Sequence, residues 1–353
     1  MRRLPIFLLL DVSESMAGDG LRQLQQGIER LVAGLRRDPH ALESVYLSAI
    51  AFAGRARTLA PLTELAAFYP PRLPLGSGTS LGAAMLHLMD EIDRNLITST
   101  RERKGDWRPV VYLMTDGKPT DDIEPAVARW HAQYAARVTL VAIAIGAHAS
   151  SAALLRLTDQ VLALDATTEQ DFKRFVDWVT MSVVAQSRAV ADSAGARVSL
   201  AKLDDTGLRS VLAKIDDMAQ ATTVDEDLVV VTGRCQNLKL PYLMRYEKVR
   251  HGLDEQDLNL RVELYHLRGV FALEADYDAL SDPRAIARTV NTDALIGSPG
   301  CPHCGNPIAF ALCSCGALMC IKGDGLATCP TCHNPCHFVG GDGPGFDVAR
   351  ARG

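Results

Sequence analysis

The sequence lacks long hydrophobic runs and blocks of like charge. No stretch approaches the roughly 20 consecutive apolar residues of a membrane-spanning helix, so we expect no membrane segment. The formal net charge is −5, from 42 acidic and 37 basic residues, which disfavours a protein that binds nucleic acid by charge. The phosphate-binding pattern G-x-x-x-x-G-K-[ST] is missing, so the chain itself is not expected to be a nucleotide-driven motor.

Little in the N-terminus indicates an export signal. Only a short apolar run, residues 5–10, precedes Asp11, and this run predicts a first strand. Eight of the nine cysteines lie between Cys301 and Cys336, in pairs with the spacing of metal ligands. Cysteines clustered in this way, without an export signal, indicate bound zinc in a reducing cytoplasm rather than disulfides. We therefore expect a cytoplasmic protein.

The chain has the composition of a soluble globular protein, with 48% hydrophobic and 22% charged residues among 353. That length allows two or three domains. Over residues 1–190, apolar strands alternate with amphipathic helices, which predicts an α/β domain: a Rossmann-like, mostly parallel sheet with helices on both faces. The predicted strands cover residues 5–10, 45–52, 57–62, 109–114, 138–145 and 161–164. The predicted helices cover residues 20–37, 123–136 and 169–188, and a further one opens in the loop 75–82 and runs to about 95.

Oxygen-bearing side chains stand at the ends of two of these strands and at the start of one helix. They are Asp11, Ser13 and Ser15 after the first strand, Thr79 in the loop 75–82, and Asp116 after the strand 109–114. Carboxylates and hydroxyls are hard ligands that suit Mg²⁺ or Mn²⁺, and because three of the five are neutral hydroxyls, a bound cation keeps much of its charge. The alternative is that these residues cap helices or shape turns. Ser80 and Asp121 are either supporting groups for a metal site or loop caps.

These three segments resemble the metal-ion-dependent adhesion site of von Willebrand factor A domains, as in the inserted domains of integrins. The resemblance covers about residues 4–188, in the order of elements as well as in the motif. It implies that Mg²⁺ or Mn²⁺ is held by Asp11, Ser13, Ser15, Thr79 and Asp116. It also implies a partner protein whose Asp or Glu completes the metal shell. We expect no enzymatic activity, because no general base is placed near the metal. Side chains alternate along this segment, so Glu14 points away from the side on which Ser13 and Ser15 lie, and no His is close to the three loops in sequence.

Residues 191–298 are predicted to form a helix followed by a small antiparallel β unit. Residues 203–218 have helical spacing, and alternation with a period of two then predicts strands at 228–232, 243–246, 258–267 and 270–275. Cys235 stands alone in this region and is interpreted as a small buried apolar residue rather than as a ligand.

Residues 299–340 contain two C-P-x-C knuckles, at residues 301–304 and 329–332, each of which presents two thiolates on one turn to a tetrahedral Zn²⁺. A single zinc ion held by the two knuckles would leave Cys313, Cys315 and Cys320 without partners, so we favour two zinc ions over one. The predicted ligands are Cys301, Cys304, Cys313, Cys315, Cys320, Cys329, Cys332 and His337, with Cys336 or His333 as alternatives for the eighth position. This predicts a structural domain of the zinc-ribbon-like or cross-brace kind. Residues 341–353 are predicted to be a disordered tail.

An A domain followed by such a Cys-rich C-terminus resembles TerY-type proteins of the tellurium-resistance group. The resemblance implies a non-enzymatic adaptor that works with a protein kinase and a PP2C-type phosphatase, in a stress or tellurite-resistance module. Two other functions stay open: a metal-dependent phosphatase or hydrolase, and an A-domain subunit of an ATPase-linked remodelling complex. A nucleic-acid role for the Cys-rich region is disfavoured, because Lys322 is its only Lys or Arg between the first and last cysteine.

Overall fold

Two units make up the chain, which is described in a computed structural model. The described residues are 2–102, 104–116, 118–145, 151–164, 169–191, 212–214, 227–249, 263–281, 288–339 and 345–350. The first unit comprises Met1–Val12, Asp19–Leu73 and Thr79–Thr223, and the second comprises Ser13–Gly18, Pro74–Gly78 and Val224–Gly353.

The first unit alternates strands and helices, as predicted. Its strands are β1 (Leu4–Asp11), β2 (Val45–Phe52), β3 (Ala56–Glu64), β4 (Val110–Thr115), β5 (Thr139–Ile145), β6 (Val161–Leu164) and β7 (Leu212–Lys214). Its helices are α1 (Asp19–Leu35), α2 (Pro39–Ser44), α3 (Leu81–Asn95), α4 (Glu124–Gln133), α5 (Ala152–Leu155) and α6 (Glu169–Ala191). The strands form one sheet in the order β3-β2-β1-β4-β5-β6-β7, in which only the edge strands β3 and β7 run antiparallel to their neighbours. This confirms the predicted α/β fold with a mostly parallel sheet.

Strand β1 is buried on both faces because helices cover the sheet on each side. Phe7 and Leu9 pack in a cluster that includes Trp130 of α4. Leu8 faces the opposite side, where Ile28 of α1 and Val179 of α6 lie. Burial of each large apolar side chain contributes about 1.5–3 kcal/mol, which is why the continuous apolar runs form the centre of the sheet.

The second unit is rich in β structure. Its strands are β8 (Leu228–Arg234), β9 (Pro241–Lys248), β10 (Tyr265–Ala272), β11 (Arg288–Asn291), β12 (Leu295–Ile296), β13 (Ile308–Leu312), β14 (Leu318–Ile321), β15 (Gly325–Thr328), β16 (Pro335–Phe338) and β17 (Asp347–Arg350). A short helix, α7 (Tyr277–Leu280), follows β10, and two 3-10 turns cover Glu14–Met16 and Thr292–Ala294. Six strands form a sheet in the order β12-β10-β9-β8-β14-β13, and the pairs β11–β17 and β15–β16 form separate ribbons.

This arrangement differs from the separate segments 191–298 and 299–340 that we expected. Strands β8 to β10 come from the first segment and β13 and β14 from the second, yet they share one sheet through the parallel pairing of β14 with β8. The expected boundary at residue 298 therefore does not separate two sheets. Such long-range pairing is invisible to a local pattern, which reports period but not partner.

Three local expectations are also corrected. Residues 212–214, inside the predicted helix 203–218, form strand β7 and pair with β6, while the rest of that helix lies outside the described residues. The break between the predicted strands 258–267 and 270–275 is a β-bulge between Leu267 and Gly269, inside the continuous strand β10. Part of the predicted disordered tail is strand β17, because Val348 is buried in the core of the second unit. Among the described residues, no helix has both the length and the apolar character needed to cross a membrane.

Candidate functional site

Asp11 lies at the carboxyl end of β1, beside the end of β4. Leu10 pairs with Met114 in the parallel register, so Asp11 is next to Thr115. The Thr115 hydroxyl donates a hydrogen bond of 2.6 Å to Oδ2 of Asp11, and both side chains are fully buried. Asp116 follows directly and is half-buried. The two predicted carboxylate ligands thus stand at the ends of adjacent strands.

Ser13 and Ser15 follow Asp11 in the chain and bring their hydroxyls together. Their Oγ atoms are 2.9 Å apart, and the segment is fixed by a hydrogen bond from the Met16 N–H to the Ser13 carbonyl. Ser13 precedes the 3-10 turn Glu14–Met16, but its side chain makes no capping hydrogen bond there. Its hydroxyl is therefore not used as a helix cap.

Thr79 is held against the loop that follows β4. Its N–H donates to the Thr120 hydroxyl at 3.0 Å, and the Thr120 N–H donates back to the Thr79 carbonyl at 2.8 Å. This double link places Thr79, whose side chain is buried, beside the loop that carries Asp116.

Helix α3 is capped by Asp121 rather than by Thr79 or Ser80. The Ser80 side chain makes no capping hydrogen bond, whereas the Asp121 carboxylate accepts from the N–H groups of Gly82 and Ala83 at 3.1 and 2.9 Å. Burial raises the pKa of Asp121, and the two N–H donors act in the opposite direction. Of the two roles left open for Asp121, the structure supports the loop cap. His87 on the same helix is half-buried, and its Nε2 lies 2.8 Å from the Thr58 hydroxyl.

The predicted donor set of this first site consists of two carboxylates and three hydroxyls. Asp11 and Asp116 stand at the carboxyl edge of the first unit's sheet, and the Ser13 and Ser80 side chains make no capping hydrogen bond at the helix starts just described. Hard oxygen donors at such an edge fit a small divalent cation.

The second unit brings eight cysteines into two clusters of four. The first contains Cys235, Cys301, Cys304 and Cys320, and the second contains Cys313, Cys315, Cys329 and Cys332. Within each cluster all four sulfur atoms lie within 4.8 Å of one another. The clusters interleave along the chain, since Cys320 of the first falls between the two pairs of the second. This is the cross-brace alternative of our prediction.

The sulfur positions fit tetrahedral metal sites. A Zn–S bond of about 2.3 Å sets an S···S edge of about 3.8 Å in a tetrahedron. The measured Sγ···Sγ distances are 3.6 Å for Cys304–Cys320, 3.7 Å for Cys313–Cys332 and 3.8 Å for Cys315–Cys329.

Backbone N–H groups stabilise the thiolate form of several ligands. The N–H of Gln236 donates to the Cys320 sulfur at 3.3 Å, and that of Thr331 donates to Cys329 at 3.4 Å. The N–H of Cys315 lowers the pKa of Cys313 to about 6, whereas burial raises the pKa of Cys320. A metal binds the deprotonated sulfur, so these donors favour the form that binds.

Cys235 is the ligand that the sequence interpretation missed. It is fully buried, as expected, but it lies in the first cluster and not in a purely apolar pocket. Its turn has the same hydrogen bonds as the two knuckles: the Cys235 N–H donates to the Leu240 carbonyl and the Lys239 N–H to the Cys235 carbonyl, as Cys301 does with Asn306 and Gly305. Leu238 occupies the position of the second knuckle cysteine, so no C-x-x-C pattern marks the turn in the sequence.

His337 is not a ligand in either cluster, which corrects our choice of the eighth position. It is exposed on β16, as is His333 in the second knuckle turn, and neither joins the four sulfur atoms of a site. Cys336 touches the second cluster, with its Sγ 3.3 Å from that of Cys313, but it is outside the set of four. Cys235, more than 60 residues before the first knuckle, completes the count instead.

Comparison with protein families supports both halves of this description. Residues 6–183 match the family model of the von Willebrand factor type A domain, and residues 225–353 match that of the TerY-C metal binding domain. Both predicted resemblances are thereby confirmed, and the second makes the C-terminal region a metal-binding domain. No match was found among curated proteins.

Several solved structures are similar to about half of the chain. Proximal thread matrix protein 1 from the mussel byssus is 18% identical over 52% of this chain and 48% of its own, with a TM-score of 0.38. A form of that protein with a zinc-occupied MIDAS motif is 19% identical over the same shares, also at 0.38. The von Willebrand factor type A protein from Catenulispora acidiphila is 16% identical over 52% of this chain and 43% of its own, at 0.42. The chain thus spans about half the length of these proteins.

Proposed function

Because the chain belongs to the von Willebrand factor type A domain family over residues 6–183, we propose that it is an adaptor that binds an acidic side chain of a partner protein through Mg²⁺ or Mn²⁺. The metal ligands in this proposal are Asp11, Ser13, Ser15, Thr79 and Asp116. The observation that carries it is that the Thr115 hydroxyl orients Asp11 beside the strand end that precedes Asp116, while Asp121 caps helix α3 and Ser13 makes no capping hydrogen bond.

Two of the ligands in this proposal are held in position by neighbouring threonine side chains. Thr115 orients the Asp11 carboxylate, and the link with Thr120 sets the position of Thr79. A cation held by three neutral hydroxyls and two carboxylates supplies an open coordination position for a carboxylate oxygen of the partner. The two carboxylates formally balance the charge of the cation, so the preference for an acidic group follows from the affinity of Mg²⁺ or Mn²⁺ for hard oxygen ligands.

The surroundings of Glu14 support binding rather than hydrolysis. Metal-dependent hydrolysis needs a general base near the attacking water. Glu14, which lies between Ser13 and Ser15, is fully buried and accepts hydrogen bonds from the hydroxyls of Tyr277 and Ser77 within the second unit. A carboxylate engaged in this way is a structural group. The two domain types are also usually binding modules rather than catalysts.

We assign zinc to both clusters of four cysteines, in a structural role. Four thiolates fill a tetrahedral shell and leave no position for a water nucleophile. Cys301, Cys320, Cys313 and Cys329 are buried in the two small cores of the second unit, so metal binding and folding of this unit are coupled. We propose that the adaptor acts beside a protein kinase and a PP2C-type phosphatase in a stress or tellurite-resistance module, as the resemblance to TerY-type proteins implies.

Capture of partners by the full-length chain tests the adaptor function. Mg²⁺ is removed by dialysis rather than by chelation, so that the cysteine sites stay loaded, and is then added back. We expect partners to be recovered only with Mg²⁺, and to be lost from Asp11→Asn and Thr79→Ala even in its presence. Asp159→Asn, which changes an exposed aspartate of the first unit, is the matched control and should capture as wild type does.

Two results would contradict the proposal. Equal recovery with and without Mg²⁺, and in Asp11→Asn, would remove the cation from the interaction. Turnover of a generic phosphoester that is lost in Asp116→Asn would favour the hydrolase instead. Metal analysis of the same samples should give two zinc ions per chain.

A further inference from the structure

The second cysteine cluster has a fifth sulfur beside it. Cys336 on β16 lies with its Sγ 3.3 Å from the Sγ of Cys313, closer than the 3.7 Å between the ligands Cys313 and Cys332. A tetrahedral site takes only four sulfur atoms, with edges of about 3.8 Å. Cys336 is therefore a non-ligand thiol in contact with a metal ligand.

The first cluster has no such neighbour. All nine cysteines lie in the described part of the chain; four belong to the first cluster, and the remaining five gather at the second. The first site is thus an internal reference for the second within one molecule.

Access to solvent also distinguishes Cys336 from its neighbour. Cys313 is 2% exposed and Cys329 is fully buried, whereas Cys336 is only half-buried, on the two-stranded ribbon of β15 and β16. A small oxidant can reach this ribbon. A disulfide needs an S–S bond of about 2.05 Å, so the two sulfur atoms must approach by about 1.3 Å.

From this contact we propose that Cys336 and Cys313 form a redox pair that releases the metal from the second cluster when it meets a peroxide. The proposal rests on the assignment of zinc to that cluster. In the net step an S–S bond forms, while the O–O bond of the peroxide and the bond between zinc and Cys313 break. Each sulfur loses one electron, and the peroxide, with the Cys336 proton and one proton from solvent, leaves as two water molecules. The zinc ion then has three thiolates and dissociates.

Zinc release from the full-length, zinc-loaded chain tests the pair. Hydrogen peroxide is added, released zinc is followed with a chromogenic chelator, and disulfides are mapped by mass spectrometry. We expect one zinc ion per chain to be released from wild type, together with a Cys313–Cys336 disulfide, while the first site keeps its ion. A dithiol with added zinc should restore two ions per chain.

Two variants separate this role from a structural one. Cys336→Ser should still bind two zinc ions before treatment. After peroxide is added, its rate of zinc release should be at most about one tenth of the wild-type rate, because the sulfur in contact with Cys313 is gone. Ser314→Ala is the matched control, since the Ser314 hydroxyl is the other non-ligand group beside Cys313, 4.0 Å away. It should release zinc as wild type does.

Three outcomes would overturn the proposal. They are unchanged release in Cys336→Ser, a disulfide between other cysteines, and loss of one zinc ion from untreated Cys336→Ser, which would make Cys336 a ligand. Fewer than two zinc ions in untreated wild type would instead count against the zinc assignment. Disulfide mapping, which needs no metal, would still decide for or against the pair.

Discussion

The cap that Asp121 places on helix α3 is open to a direct stability measurement. Asp121→Ala removes the acceptor of two backbone N–H groups, those of Gly82 and Ala83. The contact is tight, because a Cβ atom at Gly82 would lie 2.6 Å from the Asp122 carbonyl oxygen. Water can therefore replace the carboxylate only if the loop moves away from the helix.

The expected loss is about 2 kcal/mol. Removal of a side-chain cap costs about 0.5–2 kcal/mol, and the favourable interaction of a carboxylate with the helix N-terminus adds about 0.3–1 kcal/mol. For a unit of this size, each kcal/mol shifts the unfolding midpoint by about 2–4 °C, so the midpoint should fall by about 4–8 °C.

Tryptophan fluorescence reports this unit selectively. The three tryptophans of the chain, Trp107, Trp130 and Trp178, all lie in the first unit. Thermal unfolding followed by their emission should show the shift for Asp121→Ala and a change equivalent to less than about 0.5 kcal/mol for the exposed control Asp159→Ala. Equal midpoints for the two variants would refute the assignment of Asp121 as the cap and reopen a capping role for Thr79.

Three further predictions concern other parts of the chain. Cys235→Ser should reduce bound zinc from two ions to one, by metal analysis of the purified chain, because it removes a ligand of the first cluster. Asp38 caps α2 through the Ala41 N–H and is paired with Arg188 at 2.6 Å. Burial alone would raise the pKa of Asp38, but these two partners outweigh it and leave the pKa below its ordinary value. The Asp38 carboxyl therefore binds its proton less tightly in the folded state than in the unfolded state. The stabilisation that Asp38 contributes is present above the unfolded pKa of about 4 and is lost as the pH falls through the lower pKa of the folded state. Asp38→Asn should therefore lower the urea midpoint at pH 7, and the difference from wild type should shrink below about pH 4. His333 has a φ of +61° at the turn position that Gly305 occupies in the other knuckle. His333→Gly should therefore raise the thermal midpoint of the second unit, with a gain in unfolding free energy of at most about 1 kcal/mol. A lower midpoint would contradict the equivalence of the two turns.

The sequence was sufficient to predict the fold of the first unit because its central strands are buried on both faces. The runs that become β1 and β4 are almost entirely apolar, and such runs alternating with amphipathic helices have few other folds. The edge strand β7 was missed, since three residues at a sheet edge are determined by their pairing with β6 and not by their own pattern. Strand β17 was missed for a similar reason: Val348 is ordered by the core it enters, inside a Gly-rich segment.

In the candidate sites, too, some residues can be recognised from the local sequence and others only from contacts with distant residues. The oxygen ligands could be proposed from the sequence because each predicted residue stands at a strand end or helix start, which periodicity locates. The role of Asp121 could not, because the helix it caps begins 40 residues earlier. Cys235 was missed because its turn repeats the hydrogen bonds of a knuckle with Leu238 in place of the second cysteine. A search for that turn, rather than for paired cysteines, would have found it.

Strand β14 explains how two metal sites can belong to one small unit. Its side chains alternate, so that Leu318 and Cys320 enter the core of the first cluster while Met319 and Ile321 pack with Cys313 and Cys329 of the second. A metal ion that fixes Cys320 therefore also fixes the strand against which the second cluster packs. Both cores fix the register of this strand, because a shift by one residue would exchange the faces presented to them. The interleaved order of the ligands along the chain follows from that geometry.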